Sequence, residues 1–336
     1  MRWIGLATFV AVAALGVSQA HAQTTELKAA AFTPPSNFIN KELVRWADEL
    51  KQKSGGKLTM TVFHSSQMGP PPRHYDLART GVSDVSYILP GFTPGRFLLT
   101  ELVQIPGLMP TGKASSQAMQ ELLPQFMAKE YVGTRVLYLF GAASSPVLAK
   151  RPIRALAELK GMRIRNPDPM HALLVEALGA TPVAISPTDV AESLNKGTID
   201  AVVMGYSGTI AFQLHQVARF STEFESGGIP FAIVMNPGSY DKLPADLRKL
   251  IDDTTGMPVA ARMGAAFDDE EAAMRKVAEA AGVQVLHASQ ADEAEVKQIA
   301  AKLTEDAVKT AEAKGIPARA FLAAYKISLA KYLAAK

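Results

Sequence analysis

Short apolar runs of strand length alternate with amphipathic helices along most of this chain. That alternation constrains the fold more than any other feature. Leu27 to Phe32 has the length and character of a buried strand. Pro34-Pro35-Ser36 follows, with Ser36 placed to cap a helix in which Ile39, Leu43, Trp46 and Leu50 recur at helical spacing. Gly55-Gly56 ends that helix, and residues 58–63 alternate as a strand does. A helix over 73–79, a stop at Gly81 and a strand over 85–89 complete the first run. The second run predicts strands at 136–140, 147–148, 162–165, 199–204 and 231–235, with helices at 113–129, 170–178 and 188–195. Beyond Pro244, residues 244–281 and 291–333 read as long helices separated by a strand at 283–286. Repeated β-α-β units predict an α/β fold with mainly parallel sheets flanked by helices.

The first 22 residues read differently. Arg2, the apolar run from Ile4 to Val17 and the small residues of Ala20-His21-Ala22 have the three parts of a cleavable secretory leader. The alternative is a membrane anchor, but the run falls short of the roughly 20 residues a spanning helix needs. Cleavage after Ala22 leaves about 314 residues, more than one hydrophobic core usually supports, so two lobes are expected. Hydrophobic residues make up 48% of the chain, ample for packed cores. There is no cysteine, which excludes disulfides, thiol chemistry and a lipid at the cleavage site. The expected mature protein is free in solution rather than embedded in a membrane. A formal charge of +3, one unit lower without Arg2, is too weak to argue for nucleic acid.

The sequence offers little to catalysis or to a resident metal. His64, His74, His171, His215 and His287 show no zinc-ligand spacing and are expected as surface or capping residues. No G-x-S-x-G nucleophile elbow occurs. Gly107 to Lys113 has the spacing of a phosphate-binding loop, but Ala114 stands where a Ser or Thr should hold magnesium, and Pro110 lacks an amide donor. It reads as an ordinary loop before a helix. Asp268, Asp269, Glu270 and Glu271 are consecutive, point around a helix and cannot converge on one cation, so they read as a solvated face. No cofactor or metal is expected.

Arg165 stands apart. It ends a short strand in which Arg163 and Arg165 face opposite to Met162 and Ile164. Open α/β sheets bind ligands at the carboxyl ends of their strands, and an arginine there can grip a carboxylate through two parallel hydrogen bonds.

An ordered set of short motifs surrounds it: Leu159-Lys160-Gly161-Met162-Arg163-Ile164-Arg165, Leu178-Gly179-Ala180-Thr181-Pro182, Asp189-Val190, Gly197-Thr198-Ile199-Asp200 and Lys242-Leu243-Pro244. Upstream are Thr33-Pro34-Pro35, Gly55-Gly56-Lys57-Leu58, Ser66-Gln67-Met68-Gly69, Gly81-Val82-Ser83-Asp84 and Ile105-Pro106-Gly107. In order and spacing the set resembles the DctP-type solute-binding proteins of tripartite ATP-independent periplasmic (TRAP) transporters. The resemblance implies a two-lobed periplasmic-binding-protein fold of type II-like design, with a hinge, crossover strands and a long helix spanning both lobes. It implies lobe I at 23–142 plus 230–268, lobe II at 143–229 plus 269–315, and a C-terminal helix at 316–336. Arg165 would then pair with a ligand carboxylate.

The chain also departs from the sialic-acid-binding members of that group. Ser145 takes the place of a second arginine, Leu89 of a glutamate, Met204 of an asparagine and Pro187 of an aromatic residue. Polar partners for hydroxyl groups are thereby lost, and unpaired buried hydroxyls are costly. Tyr87, Leu89, Phe92, Met204 and Tyr206 suggest an apolar, partly aromatic slot; the resemblance implies Phe32 and Asn37 on the other wall, and Asn236, after the 231–235 strand, is expected to face the ligand. The expected ligand is a small monocarboxylate with a hydrophobic or aromatic body. The expected partners are the small and large membrane subunits of a sodium-driven permease, the receptor itself being a monomer in the periplasm. The rival readings are a periplasmic enzyme acting on an organic acid and a receptor feeding a sensor kinase.

Overall fold

In the computed structural model, which describes residues 24–335, the alternation sorts into two mixed sheets. The proposed leader lies outside the described residues. The strands are β1 (Thr25–Ala30), β2 (Leu58–Phe63), β3 (Val85–Ile88), β4 (Arg135–Ala142), β5 (Val147–Ala149), β6 (Arg163–Arg165), β7 (Thr181–Val183), β8 (Ala201–Val203), β9 (Phe220–Glu223), β10 (Ile229–Met235) and β11 (Gln284–His287). One sheet runs β2-β1-β3-β10-β4, the other β11-β9-β5-β8-β6-β7. Each carries a two-sided core. Val85 and Tyr87 pack one face of the first sheet with Leu27, Leu58 and Phe231. Ile88, Leu139, Ala232 and Val234 pack the other.

The sheets are mixed rather than mainly parallel, and the reason is topological. The chain crosses to the second sheet between β4 and β5 and returns between β9 and β10. A strand that has just crossed starts at the seam and runs away from it, against neighbours that run toward it. β5 is accordingly antiparallel to β8 and β9, and β10 to β3 and β4. The remaining pairs, such as β1 with β2 and β6 with β8, are parallel.

The two crossings lie side by side and are stitched together. Ser226 Oγ donates to Ser145 O at 2.6 Å and accepts from Ser145 N at 3.2 Å, while Gly227 N donates to Ser144 Oγ at 3.2 Å. Gly227 has φ +96° and its Cα abuts Gln104 O so closely that a Cβ would lie 2.0 Å from it. Only glycine meets both demands.

A 24-residue helix, Met257–Ala280, ties the lobes together. Its first half buries Met263, Gly264 and Phe267 against the first sheet and the helix Gly112–Leu122; its second half reaches the helix Tyr206–Ala211 of the second. The acidic run is therefore not simply a solvated face. Asp268 accepts from Gly112 N at 2.7 Å and Lys113 N at 3.0 Å. Glu271, one turn on, accepts from Tyr206 N at 2.6 Å and Ser207 N at 3.0 Å. Two carboxylates at i and i+3 share a helix face, and each satisfies the free amides at the start of a shorter helix. The same bonds dispose of the phosphate-loop spacing, because the amides of Gly112 and Lys113 are already engaged.

The long helical stretches expected after Pro244 are broken. Gly256, at φ +77°, separates Ala245–Asp253 from Met257–Ala280. Its N–H donates to Leu137 O at 2.9 Å. Gly315, at φ +75°, and Pro317 separate Gln290–Glu312 from Ala318–Ala334.

Candidate functional site

The carboxyl ends of β1, β3, β4, β6 and β8 all point at the seam between the sheets, and a cavity of about 80 Å³ lies there. The loops after β1 and β3 bring Phe32, Thr33, Asn37, Leu89 and Phe92 to it, while β6 and β8 bring Arg165 and Met204. Aromatic rings form one wall. Phe32 stacks on Tyr87 at 4.4 Å and meets Phe92 edge-on at 5.7 Å; Phe231 stacks on Phe267 at 5.5 Å.

Arg165 is the electrostatic centre. It is 2% exposed, and only two of its donors are used within the protein: Nε to Ile185 O at 3.2 Å and Nη1 to Val203 O at 3.1 Å. Both acceptors are neutral carbonyls. Nη2 has no protein partner among the described residues, and no carboxylate pairs with the guanidinium. Burial lowers its pKa to about 10, with the more distant Asp168 pulling the other way. Arg163, two residues earlier on the same side of the strand, is the contrast. It is half-exposed and paired with Asp200 through Nε at 3.0 Å and Nη2 at 2.9 Å. A buried cation without a counter-ion costs several kcal/mol, and an arginine presents a fork that fits a carboxylate.

Nine of the eleven residues singled out from the sequence meet at this cavity: Arg165, Ser145, Tyr87, Leu89, Phe92, Met204, Phe32, Asn37 and Pro187. Two do not. Tyr206 turns its ring away, its hydroxyl sitting 2.8 Å from Ser221 Oγ and donating to Glu223 Oε1 at 2.7 Å; its neighbours Gly205 and Ser207 line the cavity instead. Asn236 sits at the wrong end of β10. Ile229 begins that strand at the cavity, and a seven-residue strand carries its far end roughly 23 Å away. There Asn236 caps the helix Pro237–Asp241 by accepting from Ser239 N at 2.9 Å.

The capping residue of the first helix is likewise Asn37, not Ser36. Its Oδ1 accepts from Ile39 N at 3.0 Å, and its Nδ2 donates across the seam to Ser207 Oγ at 3.2 Å. Two of the histidines expected as surface or capping residues are buried. His74 lies between Tyr87 O and Gly69 O, and His171 Nδ1 bonds Asp168 Oδ2 at 2.7 Å.

Sequence reasoning missed Phe212, Phe231, Phe267 and Glu271 as lining residues. Their spacing is that of ordinary core and helix positions; the return of β10 and the long helix to the seam brings in Phe231, Phe267 and Glu271, and the end of the helix Tyr206–Ala211 brings in Phe212. Glu271 is pushed up to about 7 by burial, against the lowering effect of the Ser207 and Tyr206 amides. The cavity thus has a cationic end at Arg165, an acidic group at Glu271 and an apolar aromatic middle.

The family model of bacterial extracellular solute-binding proteins, family 7, the DctP family, matches residues 29–310. The chain belongs to this family. It is 26% identical over 333 residues to the outer membrane transporter protein TsaT of Comamonas testosteroni, covering 97% of each chain. Among solved structures it resembles a TRAP solute-binding protein of Rhodoferax ferrireducens, in complex with copurified benzoate, with a TM-score of 0.88 and 29% identity. That match covers 92% of this chain and 98% of the other. A marine-metagenome TRAP solute-binding protein specific for aromatic acid ligands, in complex with 3-hydroxybenzoate, matches with a TM-score of 0.88 and 30% identity, covering 92% and 99%. The DctP-family protein described here is a two-lobed solute-binding protein, and among its described residues no helix is long and apolar enough to cross a membrane.

Proposed function

We propose that the cavity at the seam captures a monocarboxylate with a compact aromatic or similarly apolar body, and that the closed protein delivers it to a sodium-driven TRAP permease of one small and one large subunit. The observation that carries this reading is the unpaired, buried guanidinium of Arg165 at the end of an apolar cavity. A carboxylate arriving there gains a charge-assisted fork and removes the penalty of an isolated buried charge. A neutral isostere of the same shape gains neither. Glu271 disfavours a second carboxylate on the ligand. The volume, about 80 Å³, is of the order of the 150 Å³ engineered cavity that admits benzene, which restricts the body to about one ring. The aromatic acids held by the two structural relatives agree with this chemistry. The protein acts in the periplasm, as its family does, and releases the acid unchanged.

Titration calorimetry tests the reading. Benzoate and 3-hydroxybenzoate are expected to bind, benzamide and succinate to bind at least 100-fold more weakly, and Arg165→Ala to abolish binding while the circular dichroism spectrum is kept. Equal affinity for benzoate and benzamide, or undiminished binding by Arg165→Ala, would overturn it. Recovery of a chemically altered acid after incubation would point to an enzyme instead.

A further inference from the structure

A second, larger chamber of about 540 Å³ adjoins the Arg165 cavity and shares Phe92, Pro167 and Pro187 with it as a partition. Phe92 is the one rotatable side chain of the three and is only half-buried. The chamber is bounded by both lobes: Pro71, Pro72 and Pro94 come from the first, Pro167, Pro169 and Pro187 from the second. Seven of its fifteen lining residues are prolines, so its walls are stiff and poor in amide donors.

Its few polar side chains are already engaged. Asp168 takes His171 N at 2.9 Å and His171 Nδ1 at 2.7 Å. Ser186 Oγ lies 2.9 Å from Thr188 Oγ1, and Asn166 Nδ2 donates to Asp168 O at 2.9 Å. The exception, Asn166 Oδ1, is itself buried. Apart from that one unpartnered acceptor, the wall presents no free charge and is mainly apolar. Gly91 packs against Asp168 in the same wall, so closely that a Cβ on it would fall 2.3 Å from Asp168 Cβ. The chamber therefore forms where the lobes meet, and it keeps an open side at the exposed Pro72, Pro94 and Ala184.

We propose that this chamber is a second compartment of the ligand site, and that it takes an apolar tail carried on the ring of the captured carboxylate. The inference rests on the carboxylate reading given above. It predicts that the protein accepts alkyl-substituted aromatic acids rather than only the bare ring acid. The carboxylate stays on Arg165, the ring fills the aromatic cavity, and the tail passes Phe92 into the proline chamber.

The test compares benzoate with 4-butylbenzoate by calorimetry on the full mature protein. Each methylene fully buried is worth roughly 3- to 4-fold in affinity, so 4-butylbenzoate is expected to bind at least about 10-fold more tightly. Ala172 lines the proline chamber and not the Arg165 cavity. Ala172→Trp fills the chamber, and is expected to remove the butyl advantage while benzoate keeps its affinity. Ala184→Trp, at an exposed position on the same chamber, gives the same readout if the first variant fails to fold. If benzoate binds but the butyl group brings no gain, the second compartment is refuted and the carboxylate reading stands. If the gain survives in a folded tryptophan variant, the tail lies elsewhere and the proposal is also refuted. If neither acid binds, both readings fail together.

Discussion

At the scale of single residues, the candidate site pairs poor local stability with the binding role proposed for it. Arg165 is buried without a counter-ion, which is unfavourable in the empty protein. If Arg165 is kept for binding at the expense of stability, as proposed, a trade-off follows. Arg165→Met is therefore expected to bind no carboxylate yet to unfold at the same temperature as the ligand-free parent or a higher one, by thermal melting. A clear loss of stability would mean that the guanidinium is a structural brace instead. Glu271 yields a prediction in pH. Its pKa lies near 7 in the folded protein against an ordinary value of 4.5, so the folded state holds the proton more tightly than the unfolded state. Its contribution is then most favourable below about pH 4.5 and declines as pH rises through 7, by about 3 kcal/mol in all. Glu271→Gln removes that titration. Relative to the parent, the variant should gain stability between pH 5 and pH 8, and parallel melting curves at both pH values would contradict the assignment. Arg165 was singled out by its place at the end of a strand together with the family resemblance, and the structure places it, buried, at the cavity. The role of Glu271 was not legible, because four acids in a row on a helix have the pattern of a solvated face, and the two amide termini they meet come from distant segments.

At the scale of elements, the first sheet is locked by a close helix crossing. A Cβ on Gly264 would fall 2.4 Å from Gly112 O and 2.5 Å from Ser116 Oγ, and one on Gly112 would fall 2.6 Å from Gly141 O. The nearest contact is with the Gly112 backbone, so the helices must separate to admit a methyl group. Overpacking of this kind typically costs 1–3 kcal/mol. Gly264→Ala should lower the urea midpoint accordingly, with an unchanged midpoint showing that the crossing tolerates a wider gap. Most elements were legible because their apolar spacing is strictly local: Ile39, Leu43, Trp46 and Leu50 do form a helical core face. What escaped was decided at a distance. β7 and β9 are short, of three and four residues, with too little length for a period to show. The antiparallel placing of β5 and β10 follows from where the chain crosses the seam, which no local pattern records. The helix breaks at Gly256 and Gly315 were visible as glycines, but their meaning depends on the left-handed conformation and the contact with Leu137 O.

At the scale of the whole molecule, the question is what brings the lobes together. Among the contacts that cross the seam beside the cavity are the Asn37–Ser207 hydrogen bond at 3.2 Å and the packing of Gly91 on Asp168. The first is a neutral bond, whose net worth is about 1 kcal/mol, so it selects closure only weakly. The second contributes no attraction of its own but sets how near the lobes can come. Gly91 has no need of its conformational freedom; what it supplies is the missing Cβ. On the proposed reading, closure is driven mainly by a carboxylate that would pair with Arg165 and fill the apolar cavity, and ligand binding can shift the equilibrium only by its preference for the closed state. Gly91→Val places side-chain atoms where Asp168 stands and should hold the lobes apart without disturbing either core. The expected outcome is a benzoate affinity lowered at least 10-fold, a melting temperature of the ligand-free protein within a few degrees of the parent, and small-angle scattering that fails to contract when benzoate is added. Contraction equal to that of the parent would show that the seam closes around the extra side chain, and that Gly91 does not limit the approach.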